Sequence, residues 1–147
     1  MEKKIRNILK TKIIGKNVIF FDEINSTQIE AKKLAEKGIE NGTIVLTDNQ
    51  TNGIGTHGRK WYSNKGDNIT FTLIIYPKCT INNLENLTTD IAQCMINAIY
   101  EVCSKRLNIK EPNDIIYNKK KVGGILTQTI TVRWNNKIFV NRNRNKC

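Results

Sequence analysis

Histidine occurs once in this chain, as His57, and proline twice among 147 residues. One histidine and four cysteines, Cys79, Cys94, Cys103 and Cys147, at no ligand-like spacing supply neither a metal site nor a disulfide framework, so free buried thiols are expected. Long hydrophobic runs are missing too. Nothing approaches the ~18 apolar residues of a membrane span, and Met1 to Lys10 lacks the apolar core and small-residue cleavage site of a signal peptide. A cytoplasmic protein without a membrane partner is expected. The length suits one core and no second large domain, and 39% hydrophobic with 25% charged residues suits a soluble globular fold.

Acidic side chains are scarce, 13 against 24 basic, for a net charge of +11. Their distribution argues against a nucleic-acid-binding face. Residues 1–16 carry six basic and one acidic side chain and residues 131–147 five basic and none, which leaves 13 basic against 12 acidic over residues 17–130. The core is nearly neutral, so no specific nucleic-acid partner is expected, although two basic ends raise salt-sensitive affinity for polyanions.

What the chain does have is glycine in a pattern. In Gly53-Ile54-Gly55-Thr56-His57-Gly58-Arg59-Lys60-Trp61, three glycines within six positions let backbone N–H groups close on a ligand, and Arg59 adds a planar fork for carboxylate or phosphate. The run matches the dinucleotide fingerprint Gly-x-Gly-x-x-Gly and follows a strand-like segment, Thr43–Thr47. That match fails, because such a site needs a helix opening at the third glycine, whereas Arg59 to Asp67 is polar and turn-like and leads into the alternating strand Asn68–Tyr76. A Walker loop fails as well: Lys60 comes one position late and Trp61 stands where Ser or Thr would follow. A glycine-rich, anion-directed loop between two strands remains.

Ser26 is placed to cap a helix over Gln28–Lys37, with Ile29, Ala31, Leu34 and Ala35 on one face and Gly38 as its stop. A second helix is expected from about Ile81 to Arg106, where Leu84, Leu87, Ile91, Met95, Ala98, Ile99 and Val102 recur at helical spacing. Further strands are expected at Val18–Asp22, Leu107–Lys110, Ile115–Tyr117 and Lys121–Thr129, the last two joined by a tight turn at Asn118-Lys119-Lys120. The fold class is α+β, a mixed, mainly antiparallel sheet packed with helices.

Four segments in order resemble the catalytic domain of biotin–protein ligases: Phe21-Asp22-Glu23-Ile24-Asn25-Ser26-Thr27, Gly53 to Trp61, Lys110-Glu111-Pro112-Asn113-Asp114, and Lys121-Val122-Gly123-Gly124-Ile125-Leu126. The resemblance implies a class II synthetase or biotin–lipoate ligase type of fold and an enzyme that joins biotin to ATP and passes it to a lysine of a biotin carboxyl carrier domain. Biotin, ATP and Mg²⁺ are then the implied small molecules, the metal arriving on the nucleotide. Biotin contacts are implied for Ser26, Thr27, Gln28, Gln50, Gly53, Ile54, Gly55, Thr56, Gly58, Lys110, Gly123 and Gly124, and adenylate contacts for Arg59, Trp61 and Asn113. Lys110 and Arg59 are the implied catalytic cations, Asp114 an orienting partner of Lys110 or of the carrier lysine. Gly-Arg-Lys-Trp followed by Lys-x-Pro-Asn-Asp favours biotin over lipoate or octanoate, whose ligases and transferases share the architecture; a non-catalytic biotin-binding remnant is the other alternative.

The chain also departs from the family pattern. Ile54 and Thr56 stand where the loop usually has arginine, and Glu111 stands where a tryptophan is usual. Residues 1–16 resemble a linker remnant, too short for the helix-turn-helix domain many bacterial ligases carry, so no repressor role is expected. The domain is expected over 17–130. Residues 131–147 are read as an irregular basic tail in which half of the six arginines fall, Arg133, Arg142 and Arg144. A shifted reading frame or truncated gene after about residue 130 is the hypothesis, and coding DNA with no Gly-Ile-Gly-Ile-Asn-Val-like continuation in another frame counts against it. A C-terminally truncated sheet would leave an unpaired edge, through which a homodimer is one expectation.

Overall fold

Segments rich in Ile, Val, Thr and Phe pair into a seven-stranded sheet in the computed structural model, which describes residues 2–79, 84–132 and 135–145, the side chains of Lys3, Lys4, Arg6 and 131–145 excepted. The strands are β1 (Val18–Phe21), β2 (Ile44–Thr47), β5 (Asn68–Ile75), β6 (Asn108–Lys110), β7 (Asp114–Tyr117), β8 (Lys120–Val132) and β9 (Asn135–Asn145), in spatial order β1-β2-β5-β9-β8-β7-β6. A separate ribbon pairs β3 (Gly53–Ile54) with β4 (Lys60–Trp61). The helices are α1 (Glu2–Ile8), α2 (Thr27–Glu36) and α3 (Leu87–Cys103). β1 and β2 run parallel and every other neighbouring pair of the sheet is antiparallel, so the expected mixed, mainly antiparallel α+β fold forms.

Alternation along the strands puts the two larger helices on opposite faces. Val45 is in register with Thr72, and Ile74 lies two residues further on the same face, where Ala31 and Ala35 of α2 cover both. Ile115 and Ile125 point the other way and pack with Ala92 and Ile99 of α3 and with Leu107. Because α2 covers the β1-β2-β5 end and α3 the β6-β7-β8 end, the α2 face of β7 and β8 is left for other use. The β3–β4 ribbon hangs over it.

Several expected boundaries shift. Ser26 has the extended backbone of an N-cap (φ −158°, ψ 130°), but its hydroxyl makes no capping bond; Gly38, at φ +81°, ends α2 as expected. α3 runs from Leu87 to Cys103 rather than to Arg106, because Ser104 turns left-handed at φ +52°; Ile81 lies outside the described residues. The expectation of buried thiols is corrected: Cys79, Cys94 and Cys103 are exposed, the last two on α3 away from its core face, and Cys147 lies outside the described residues. The largest correction concerns the tail. Asn135–Asn145, expected to be irregular, forms β9 at the centre of the sheet, with Thr70 and Gly124 both in register with Asn143. Backbone pairing explains this, since β5 and β8 each present a ladder of donors and acceptors that any extended segment can satisfy whatever its side chains. The edges of the sheet are therefore β1 and β6. α1 attends to one of them, where Glu2 accepts the Phe20 N–H at 2.8 Å.

Candidate active site

Where β1 turns into α2, the chain builds a buried seam of polar side chains. Ser26, Thr27 and Gln28 open α2, Thr47 ends β2, Asn68, Thr70 and Thr72 line one face of β5, and Gln50 follows β2; all are buried. Gln50 Oε1 accepts from the backbone N–H of Thr27 at 2.8 Å and from its hydroxyl at 3.0 Å. Thr72 Oγ1 shares its hydrogen between Thr27 Oγ1 at 2.9 Å and Gln28 Oε1 at 3.1 Å. These bonds orient both amides and leave Gln50 Nε2 and Gln28 Nε2 as free donors. Among the described residues, Ser26 Oγ, Trp61 Nε1, Asn68 Oδ1 and Thr70 Oγ1 are likewise buried without a partner. Each such group costs about 1–3 kcal/mol if left unpaired, so six in one region make poor packing and a good binding site for a compact molecule that both accepts and donates hydrogen bonds.

The glycine-rich run is a short hairpin rather than a plain loop. Gly55 N–H donates to Arg59 O at 2.8 Å, and Thr56–Gly58 forms a 3₁₀ turn with His57 at φ +56° and Gly58 at φ +73°. Gly53 is required by contact, since a Cβ there would lie 2.5 Å from Trp61 O and 2.7 Å from Gln50 Nε2. Arg59 is tied back into the turn, with Nε donating to Thr56 O at 3.3 Å and a terminal nitrogen to Thr56 Oγ1 at 3.1 Å. Through these bonds it orders the hairpin.

Between this hairpin and β7–β8 lies a cleft of about 190 Å³ lined by Ile54, Gly55, Thr56, Arg59, Lys60, Trp61, Asn113, Lys121, Gly124, Ile125 and Leu126. Ligand pockets are commonly about 300–1,000 Å³, and Trp61 accounts for the tight fit: its ring would stand 3.2 Å from a Cβ on Gly124. Gly124 thus makes room for the indole in this state. The ammonium of Lys121 sits 5.1 Å from the centroid of that ring and 2.6 Å from Asp114 Oδ1. With side chains 43% and 24% exposed, the pair adds at most about 1 kcal/mol to stability; it positions the cation at the cleft. Asn113 is half-structural, its Nδ2 donating to Ile125 O at 3.1 Å while Ile125 N–H donates back to Asn113 O at 2.9 Å.

The expected site residues thus fall into two neighbouring groups, the Ser26–Gln28 and Gln50 seam and the hairpin cleft with Trp61, Asn113 and Gly124. Gly123 is buried in β8 beside Ile115. Lys110 does not line the cleft. It is exposed on β6, one strand further out, in register with Asp114. Lys121, not expected to be functional, takes the place beside Asp114. A signal for it was present, since a two-residue turn at Asn118-Lys119 folds Lys121 back towards Asp114.

The model of the Biotin/lipoate A/B protein ligase family matches residues 20–143. The chain belongs to this family. Among relatives, the bifunctional ligase/repressor BirA of Bacillus subtilis is 38% identical over 127 residues, 86% of this chain and 39% of its own length. The biotin–[acetyl-CoA-carboxylase] ligase of Paracoccus denitrificans is 36% identical over 107 residues, 71% of this chain and 44% of its own. The biotin protein ligase of Aquifex aeolicus, solved in complex with biotin and ATP, superposes with a TM-score of 0.74 at 32% identity, over 88% of this chain and 52% of that one. The chain therefore spans about half or less of the length of the ligases it matches, and the family match runs through most of β9, past the expected boundary at residue 130.

Proposed function

We propose that this chain carries the biotin-activating site of an ATP-dependent biotin–protein ligase, with a biotin carboxyl carrier domain as acceptor. The observation that carries the reading is the set of six buried, unpartnered polar atoms beside a cationic cleft. Gln28 and Gln50 offer amide donors, Asn68 an acceptor, and Ser26 and Thr70 hydroxyls that serve either way, which suits the cyclic urea of biotin with its carbonyl and two N–H groups. Lipoate has no such group, and this favours biotin within a family whose description covers both.

With the ring system in the seam, the carboxylate extends to the cleft, where one of its oxygens attacks the α-phosphorus of ATP. A new O–P bond forms as the P–O bond to pyrophosphate breaks. Two anions meet in this step, so a fixed cation is needed, and a preorganised donor of this kind is worth roughly 3–4 kcal/mol in the transition state. We assign that cation to Lys121, held by Asp114 and the face of Trp61, with Lys110 a more distant contributor. Trp61 and Asn113 flank the adenylate, and magnesium enters on the nucleotide's phosphates. The acceptor lysine then attacks the acyl carbon and releases AMP.

A single-turnover assay with biotin, ATP and magnesium, with lipoate in parallel, tests the reading. Biotinyl-adenylate and pyrophosphate from biotin alone are expected. Biotin binding without adenylate would mean a non-catalytic binding remnant, and product from lipoate would overturn the biotin assignment.

A further inference from the structure

Beside the cleft, the β6–β7–β8 edge of the sheet carries more basic side chains than the activation chemistry, which calls on Lys121 and at a distance Lys110, needs. Between residues 105 and 121 the chain has six basic side chains, Lys105, Arg106, Lys110, Lys119, Lys120 and Lys121, all exposed, against two acidic ones, Glu111 and Asp114. Asp114 is already paired with Lys121. The cations gather because β6, β7 and β8 are neighbours and the β7–β8 turn projects from them.

The turn itself adds a second observation. Tyr117 pairs with Lys120, so Asn118 and Lys119 form a two-residue loop, and both have positive φ, +46° and +64°. This is the mirror-image turn whose second position glycine occupies without strain. A lysine is kept there, and among the described residues it makes no ion pair that repays the backbone.

We infer that this basic edge, centred on Lys119 and Lys120, is a docking surface for an acidic face of the protein that accepts the acyl group. The inference rests on the ligase reading above. An acceptor lysine approaching Lys121 is repelled by this rim, and carboxylates flanking that lysine on the partner reverse the repulsion and steer the encounter. Nucleic acid fits less well, because the aromatic at this edge, Tyr117, is half-buried beneath the Lys105 ammonium, 5.9 Å from its ring, and offers no stacking platform.

The test uses the full chain, an isolated biotin carboxyl carrier domain, the same domain with the carboxylates around its acceptor lysine neutralised, and a single-stranded oligonucleotide. Affinities are measured by titration at low and physiological ionic strength, and adenylate formation is followed separately. Reversing the charge at Lys119 and Lys120 to Glu should weaken carrier binding about tenfold at low salt, flatten its salt dependence, and leave adenylate formation unchanged. Neutralising the carrier should reproduce the loss without adding to it. Lys119→Gly should raise the melting temperature while weakening carrier binding, opposite signs that a purely structural lysine would not give. Unchanged carrier binding in the charge-reversed chain overturns the inference, as does an equal loss of oligonucleotide binding. Absence of adenylate in the unaltered chain faults the ligase reading alone, because the titration reads docking without catalysis.

Discussion

The two ends of the sheet are packed by different chemistry. Under α3, Ala92, Ile99, Leu107, Ile115 and Ile125 form a cluster without a polar member, whereas beside α2 the small cluster of Ala31, Ala35, Val45 and Ile74 borders a seam of buried Ser, Thr, Gln and Asn. One end buries apolar surface and is satisfied by it. The other keeps unpaired donors and acceptors away from water, an arrangement that lowers stability and that a bound ligand would relieve. Apolar burial and the unpaired polar groups thus lie at different ends of the sheet, and Ile125 touches both the α3 cluster and the cleft.

Mutations at the two ends should therefore fail in different ways. Ile115→Ala, in the apolar end, should cost about 2–5 kcal/mol in denaturant unfolding while folded molecules keep their biotin affinity. Lys121→Ala should reduce adenylate formation about 10²- to 10³-fold, with biotin affinity within a few-fold and the melting temperature nearly unmoved; Lys121→Arg should recover part of the rate. If Lys110→Ala rather than Lys121→Ala produces that loss, the cation has been assigned to the wrong strand. Thr70→Val offers the sharpest contrast, because it removes an unpaired buried hydroxyl without changing shape: stability should rise by about 1 kcal/mol while biotin binding weakens, in paired calorimetric and unfolding measurements. A fall in stability would mean the hydroxyl is satisfied after all. Gly58→Ala should have the smallest effect, about 1 kcal/mol from the left-handed backbone alone, since no atom lies within 4 Å of a Cβ there.

Local pattern made much of this legible. The helical stripe of α3, the alternation of Asn68–Ile75, and the glycine stop of α2 at Gly38 each follow from a period or a φ requirement carried by neighbours in sequence. Thr27, Gln28, Gln50, Gly53 and Trp61 came forward through the family resemblance instead, and the fold gathers them at the polar seam and the hairpin. The position of Lys121 at the cleft was harder to read, because two lysines flank Asp114 across different strands and a bulge between Ile115 and Ile116 shifts the register by which the nearer one is found. Gly124 was expected to admit biotin, but here it admits the Trp61 ring, a contact between residues 63 positions apart that no local rule contains. β9 was missed for the opposite reason: it has no apolar period of its own, and the partners that make it a strand lie in β5 and β8.

By itself the sequence determined the types of α2, α3, β1, β2 and β5 to β8, the absence of a long apolar run, and the residue kinds available for carboxylate and phosphate chemistry, since propensity, periodicity and charge are properties of neighbours along the chain. Tertiary structure decided that Lys121 rather than Lys110 meets the cleft, which amide nitrogens are left free, and which strand fills the centre of the sheet. Those are questions of which groups lie within about 3 Å of one another, and strand order, register and the two-sided packing of helices answer them only once the chain is folded.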